Sequence, residues 1–183
     1  RALTMNAPAA LAAPAHADIW ASLDPLTDPE IPVITLREMG ILRDVREGAD
    51  GVIEVVITPT YSGCPAMSQI EDDVRGALAA HGVPARVVTR LAPAWTTDWM
   101  SEVAREKLRA YGIAPPRCTR PAAGAGASAV VRFASRSTAN PEIPCPRCGS
   151  AETTEISRFG STACKAQYRC LACMEPFDYF KPY

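Results

Sequence analysis

Apolar residues recur at helical spacing in three stretches of the chain. Each stretch is predicted to form a helix, and the three cover residues 17–24, 65–82 and 97–112. Gly82 and Gly112 are suited to the ends of the second and third helices. Pro65 is suited to the first helical position of the second, and Thr97 and Asp98 are candidate caps for the third.

Three other stretches are rich in β-branched residues and are predicted to be strands. They cover residues 41–48, 51–60 and 84–92. Gly48 and Gly51 frame a short turn between the first two, which predicts a hairpin. The order helix, hairpin, helix, strand, helix predicts an α+β fold, in which a small mixed sheet carries helices on one face.

Composition divides the chain into four regions. We expect a flexible leader over 1–16, the α+β domain over 17–114, a linker rich in Pro, Ala and Gly over 115–140, and a cysteine-rich module over 141–183. The leader is not predicted to be an export signal, because prolines interrupt it and it lacks a continuous apolar segment. Met5 is a candidate natural start.

Charge and cysteine content narrow the classes of function. The 183 residues carry a net charge of −1, which gives no general attraction to nucleic acid or to anionic membranes. No apolar run approaches the length of about 18 residues that a membrane-spanning helix needs. The seven cysteines, without an export signal, favour reduced thiols and a cytoplasmic location.

Two Cys-x-x-Cys pairs in the tail carry the strongest chemical signal. Cys145, Cys148, Cys170 and Cys173 can present four thiolates to one ion, and we expect structural zinc in a closed ribbon site. Iron in the same geometry, redox-active dithiols and unligated core cysteines are the alternatives. Cys164 is either a buried small residue or a second functional thiol.

A second candidate site lies around Cys64, between a predicted strand and a predicted helix. A thiolate at a helix start is stabilised by the helix dipole, which would make Cys64 a better ligand or nucleophile. Asp28 and Glu30 lie in an acidic loop that could reach the same end of the sheet, and Thr58 ends the second strand. The alternative is an inert turn cysteine beside acidic residues that only cap the loop.

These residues lie in segments that resemble known families. The segments "LTDPEIPVITLREMGIL", "ITPTYSGCPAMSQIEDDV" and "APAWTTDWMSE" resemble the domain shared by cytosolic iron–sulfur assembly factors and SufT-type proteins. With "CPRCGS" and "FGSTACKAQYRCLACMEPFDYFK", the chain resembles the PaaD family, also called PaaJ, of bacterial phenylacetate degradation.

The resemblance implies an accessory protein of the phenylacetyl-CoA epoxidase system, not an enzyme. It implies maturation of an iron or iron–sulfur centre, with the iron–sulfur reductase or the di-iron subunit as partner. The motif residues carry over as Asp28, Glu30, Thr58 and Cys64, which would hold a transient iron or cluster. A cluster needs more thiolates than Cys64, so a homodimer, a partner's cysteine or Cys164 would have to contribute.

Three rival functions stay open at this point. The chain could be a structural adaptor that bridges oxygenase components, a thiol oxidoreductase, or a nucleic-acid-binding ribbon; the charge balance disfavours the last. Epoxidation chemistry is not expected here, because the sequence has only two histidines, no Glu-x-x-His pair for a di-iron site and no Gly-rich dinucleotide fingerprint.

Overall fold

The computed structural model describes residues 16–82, 84–117 and 143–183. All but the last residue of the predicted leader, most of the predicted linker and Cys118 lie outside these ranges. None of the helices within them is long and apolar enough to cross a membrane.

The regular elements of the amino-terminal region follow the predicted order, with additions. The helices are α1 (Ala17–Leu23), α2 (Leu36–Met39), α3 (Met67–His81) and α4 (Glu102–Tyr111). The strands are β1 (Thr27–Asp28), β2 (Ile31–Thr35), β3 (Leu42–Glu47), β4 (Ile53–Ile57), β5 (Ala85–Thr89) and β6 (Ile113–Ala114). A 3-10 turn over Thr97–Trp99 precedes α4.

The predicted mixed sheet is confirmed, in the order β3-β4-β5. β3 and β4 form the antiparallel hairpin, with Arg46 opposite Glu54, and β5 pairs with β4 in parallel. Val55 and Ile57 point into the core, where they share one buried cluster with Ile70 of α3. The predicted α+β class is therefore correct.

Several local expectations were wrong. α3 begins at Met67, so Pro65 lies in the preceding turn. Ser101 caps α4 by accepting the N–H of Ala104 at 3.1 Å, whereas Thr97 and Asp98 lie in the 3-10 turn. The sequence reasoning also missed the β1–β2 hairpin and α2. Both elements are short, and Asp28 and Pro32 disfavour strand formation.

The cysteine-rich module folds as a ribbon whose sheet includes a strand from the amino-terminal region. β7 (Thr153–Ser157), β8 (Lys165–Cys170) and β9 (Pro176–Phe180) form antiparallel pairs. β6 then adds to β9 in parallel, with Ala114 opposite Tyr179. The sheet order is therefore β6-β9-β8-β7.

Side chains also pack across the junction between the two regions. Phe180 and Cys164 of the ribbon belong to the same buried cluster as the core of the amino-terminal region. The Trp95 indole N–H donates to the Met39 carbonyl oxygen at 3.2 Å, and its ring lies 6.0 Å from that of Phe180. The ribbon is thus docked on the α+β region through a shared strand and a shared core.

Candidate metal sites

The two Cys-x-x-Cys turns bring four sulfur atoms together. The ligand atoms of Cys145, Cys148, Cys170 and Cys173 all lie within 4.8 Å of one another, and within the described ranges this is the one such group of three or more His, Cys, Asp or Glu side chains. The Sγ atoms of Cys145 and Cys173 are 3.8 Å apart, and those of Cys148 and Cys170 are 3.5 Å apart.

This spacing between the sulfur atoms fits one metal ion with tetrahedral coordination. Four sulfurs bonded to one zinc at about 2.3 Å would lie about 3.8 Å from each other. Gly149, at φ 77°, follows the first pair, and its N–H donates to the Cys145 carbonyl oxygen at 2.9 Å, which closes that turn. Four thiolates would fill the coordination shell, so the arrangement is that of a structural site without an open position for substrate.

Cys64 lies in the loop between β4 and α3, three residues before the helix begins. It is a half-buried free thiol, and its N–H donates to the Tyr61 carbonyl oxygen at 3.2 Å. Burial raises the pKa of the Cys64 thiol, the Ala66 N–H lowers it, and the negative charges of Asp28 and Glu30 raise it further. These surroundings favour the protonated form of Cys64, in contrast to the stabilised thiolate expected at a helix start.

Asp28 ends β1 and is fixed by the turn that follows it. Its Oδ1 accepts the backbone N–H groups of Glu30 at 2.8 Å and Ile31 at 3.0 Å. Burial raises the pKa of this carboxyl group, against the opposing effect of these two donors. Within the part of the chain that the structure describes, both hydrogen bonds to this carboxylate go to Oδ1.

Cys164 reaches this site from the ribbon. It is buried directly before β8, with its sulfur 3.0 Å from the Thr162 hydroxyl oxygen. Burial raises the pKa of the Cys164 thiol most, and the charges of Glu30 and Asp28 raise it further. These charges act on both cysteines, so Cys164 shares the electrostatic surroundings of Cys64.

Two neighbours of this group were missed in the sequence. Lys165 is buried beside Cys164, where its charge favours ionised Asp28, and its Nζ lies 3.6 Å from Asp178 Oδ2. Tyr61 precedes Cys64 by three residues, and burial together with the charges of Cys64 and Cys164 raises its pKa to about 12. The proximity of Lys165 to Asp28 depends on how the ribbon docks, so no sequence spacing marks it, whereas Tyr61 is a local neighbour of Cys64.

Thr58 lies in a different cleft from the other candidate residues. This cleft has a volume of about 180 Å³, and its lining includes Arg43, Arg90 and Trp99 but neither Cys64 nor Asp28. The Thr58 side chain is buried, and its N–H donates to the Ile41 carbonyl oxygen at 2.9 Å. Thr58 is thus separate from the cysteines, whereas the charges of Asp28 and Glu30 act on both Cys64 and Cys164.

Comparison with known proteins matches both regions. Residues 131–181 match the family model described as PaaD zinc beta ribbon domain, and residues 16–90 match the model described as iron-sulfur cluster assembly protein. Over 174 residues, the chain is 49% identical to a protein of Escherichia coli (strain K12) that is named as one subunit of a "Putative 1,2-phenylacetyl-CoA epoxidase", covering 94% of this chain and 96% of that protein. The chain belongs to the PaaD family.

Other relatives of this PaaD-family chain match only about half of it. A protein of Porphyromonas gingivalis named "Fe-S protein maturation auxiliary factor" is 38% identical over 93 residues, which are 50% of this chain and 88% of that protein. The auxiliary factor YitW of Bacillus subtilis (strain 168) is 33% identical over 95 residues, 50% of this chain and 90% of that protein. Each of these alignments is too short to span both candidate sites, from Asp28 to the last ribbon cysteine.

Proposed function

We propose that this chain is a non-catalytic accessory protein of a cytoplasmic phenylacetyl-CoA epoxidase system. It assists the maturation of an iron or iron–sulfur centre in the oxygenase or its reductase. The observation that carries the proposal is the 49% identity, over nearly the whole chain, to a protein named as a subunit of that epoxidase. The match of residues 16–90 to an iron–sulfur assembly model supports the maturation role.

The group around Cys64 has the chemistry of a site that receives iron as cargo. Asp28 and Glu30 supply carboxylate oxygens, and Cys64 supplies sulfur, so the donors are anionic when a cation is bound. Burial and nearby negative charges both raise the pKa of Cys64, and a cation would oppose this rise by neutralising those charges. Binding would release the thiol proton, and acid would reverse it, as a transfer site requires.

The four-cysteine group has a different role in this proposal. It holds zinc permanently, and the ion stabilises a ribbon that is too small to bury a large core of its own. Leu171 and Met174 of the second Cys-x-x-Cys turn are 52% and 61% exposed, which leaves apolar side chains at the ribbon's tip for contact with a client. The clients we propose are the iron–sulfur reductase and the di-iron subunit, and a homodimer is one arrangement that would bring two Cys64 thiols together.

A structural adaptor is the second candidate function. It is favoured by the word "subunit" in the name of the Escherichia coli relative, which describes a component and not a maturation factor. An adaptor would bridge epoxidase components by its surface, and it would not depend on the Cys64 thiol. The two functions therefore predict different effects of Cys64→Ser, which replaces the sulfur by oxygen.

Complementation distinguishes them. In a strain that lacks the natural protein, Cys64→Ser should abolish growth on phenylacetate and lower the iron content of the purified reductase or oxygenase. Zinc in the variant should stay at one ion per chain, which shows that the ribbon is intact. Ser62→Ala, at an exposed position in the same loop, is the matched control and should grow normally. Normal growth of Cys64→Ser, with stable co-purification of the epoxidase components, would favour the adaptor instead.

A further inference from the structure

The sheet β3-β4-β5 carries a cleft on the face that points away from the core. Alternate residues of a strand point to opposite faces, so Val56 and Thr58 lie opposite to Val55 and Ile57, which join the core. The Arg90 N–H donates to the Ile57 carbonyl oxygen at 2.8 Å, which continues the pairing beyond β5. The cleft has a volume of about 180 Å³. Its lining includes Arg43, Asp44, Arg46, Thr58, Arg90 and Trp99.

A β-bulge places Arg43 on this face. Leu42 pairs with Ile57 and Asp44 pairs with Val56, so Arg43 is the extra residue between two paired positions. A bulge changes the direction in which a side chain points. Leu42 is buried, whereas Arg43 and Asp44 are both exposed, so two consecutive residues of β3 lie on the solvent side.

The Arg43 guanidinium group is held in place without a ligand. Its Cζ atom lies 3.6 Å from the centroid of the Trp99 ring, so the group stacks on the indole. One of its nitrogens donates to the Gly40 carbonyl oxygen at 3.4 Å. Trp99 is positioned by Gly40 as well, because a Cβ atom added at Gly40 would lie only 2.7 Å from the Trp99 carbonyl oxygen. The N–H groups of Arg43 are therefore preorganised beside the cleft.

The charges in the cleft do not balance. Arg46 belongs to a balanced network of ion pairs whose other members are Glu54, Arg86 and Asp50. Arg43 and Arg90 form no ion pair with any residue that the structure describes. Among the described residues of the lining, Asp44 is the one acid, and it forms no ion pair either. Two guanidinium groups and one carboxylate therefore leave one positive charge uncompensated.

We propose that this cationic cleft, formed by Arg43, Arg90 and Trp99, binds the carboxylate of an acidic side chain on a protein partner. Arg43 offers a planar fork of N–H groups that matches a carboxylate in two hydrogen bonds, and Arg90 supplies a second positive charge. Pockets for cofactors and drug-sized ligands have volumes of about 300–1,000 Å³, so this smaller cleft suits one side chain and not a nucleotide. One uncompensated charge also suits a carboxylate better than a doubly charged phosphate group.

The cationic cleft is close to the loop that holds Cys64. Thr58 lines it, and the next four residues line a second cleft of about 240 Å³ together with Leu91 and Trp95. Leu91 directly follows Arg90 and is 57% exposed. A partner bound at Arg43 and Arg90 is therefore beside the residues that lead to Cys64. The inference rests on the proposed function for the identity of this partner, which is the epoxidase component that receives iron.

Titration with N-acetylglutamate methylamide, followed by NMR spectroscopy of the full zinc-bound chain, tests the site. The indole N–H signal of Trp99, assigned with Trp99→Phe, should shift as the probe binds, and the glutamine analogue should leave the signal unchanged. Arg43→Gln should weaken binding at least about tenfold, because two hydrogen bonds to a charged group are lost. Arg43→Lys keeps the charge without the planar fork and should weaken binding by less.

Controls separate loss of the site from loss of the fold. Arg169→Gln removes the same charge from an exposed position of the ribbon and should leave the affinity unchanged. If the melting temperature of Arg43→Gln falls, Arg90→Gln replaces it, because that variant keeps the stack on Trp99. Equal affinity of wild type and the folded variant for the probe would overturn the inference. Tighter binding of inorganic phosphate, with the same dependence on Arg43, would also overturn it by identifying a phosphate site.

Co-purification with the epoxidase components keeps this inference distinct from the proposed function. The double variant Arg43→Gln, Arg90→Gln should lose both the probe and the components, whereas Cys64→Ser should retain both. If the double variant co-purifies with the components as wild type does, the inference is rejected, and maturation through Cys64 still stands where Cys64→Ser stops growth. If the double variant loses the components while Cys64→Ser grows normally, the cleft is the partner site and the maturation role is rejected.

Discussion

Trp95 packs against Phe180, with 6.0 Å between their ring centroids, and the indole N–H of Trp95 is held by the Met39 carbonyl oxygen. One ring comes from the amino-terminal region and the other from the last strand of the ribbon. Phe180 is 1% exposed, so the contact is part of the protein core. The docking of the ribbon depends on this packing, because both rings belong to the core cluster of the amino-terminal region.

Removal of the Phe180 ring should therefore destabilise the whole chain. We expect Phe180→Ala to lower the free energy of unfolding by about 3–5 kcal/mol, since the cavity cannot fully collapse. Phe159→Ala is the matched control: Phe159 is 66% exposed, and its loss should cost less than about 1 kcal/mol. Denaturant unfolding measures both. Equal losses in the two variants would show that the ribbon is not docked through Phe180.

Arg105 should stabilise the junction through two buried hydrogen bonds. Its guanidinium group donates to the carbonyl oxygens of Thr97 at 2.6 Å and Pro116 at 2.8 Å. Arg105→Leu removes the side-chain donor to the Pro116 carbonyl and leaves the Thr97 carbonyl with only the Met100 N–H at 3.2 Å, and it should cost about 1–3 kcal/mol in the free energy of unfolding. Arg109→Leu, on the same helix but exposed, should change it by less than about 0.5 kcal/mol. A melting temperature that falls equally in both variants would contradict this role.

Asp28 is expected to lower the stability of the fold while strengthening the binding of a cation. Burial raises the pKa of Asp28 above its ordinary value of 3.8, so ionisation of this carboxyl group opposes folding. The loss of stability is complete above the raised pKa, and it vanishes as the pH falls below 3.8. Asp28→Asn keeps an oxygen that can accept the N–H groups of Glu30 and Ile31. We therefore expect the variant to be at least as stable as wild type at pH 7, with the difference shrinking in acid, and to bind Co²⁺ more weakly.

Chemical denaturation of both proteins between pH 3 and pH 8 measures the stability part of this prediction. Glu30→Gln is the control, because it removes a carboxylate from the same loop and leaves Asp28 to accept the N–H groups of the turn. A variant at Asp28 that is clearly less stable at pH 7 would mean that the ionised carboxylate is needed for folding, and the functional interpretation of its charge would then fail.

The ribbon should hold one zinc ion per chain. A strong chelator should remove it slowly and lower the melting temperature, because the metal joins the two Cys-x-x-Cys turns at the end of a small sheet. Acid should have the same effect as the thiolates gain protons. Cys164→Ser should retain the zinc and Cys170→Ser should lose it. Metal analysis that returns iron at this site, or no metal, would contradict the assignment of zinc.

The sequence was sufficient to predict those features that depend on residues close together along the chain. The β3–β4 hairpin follows from alternating residues on each side of Gly48 and Gly51, and the end of α3 follows from Gly82, which adopts φ 76°. The four ribbon cysteines could be grouped because two short turns fix the spacing within each pair. Each of these predictions needs only residues that are close in sequence.

Contacts between distant segments could not be predicted in this way. Ile113 and Ala114 carry no sign that they would join the ribbon sheet, because a strand of two residues has no periodicity. Cys164 is separated from the amino-terminal region by the segment rich in Pro, Ala and Gly, and only the docked ribbon brings it into the core cluster of that region. Thr58 was grouped with Cys64 through the family resemblance and its place at the end of the second predicted strand, yet in the structure it lines the cleft beside Trp99.

Because Ala114 pairs in parallel with Tyr179, the association of the two regions should not require a covalent link between them. Ile113 and Ala114 pair with the ribbon sheet on one side of the segment 118–142, and Ile143 is buried in the ribbon on the other. Both cut ends would thus stay anchored after a break between them. Separately expressed pieces that end at 117 and begin at 143 should reassemble into one particle when zinc is supplied, as a split protein whose halves recognise each other through a shared sheet.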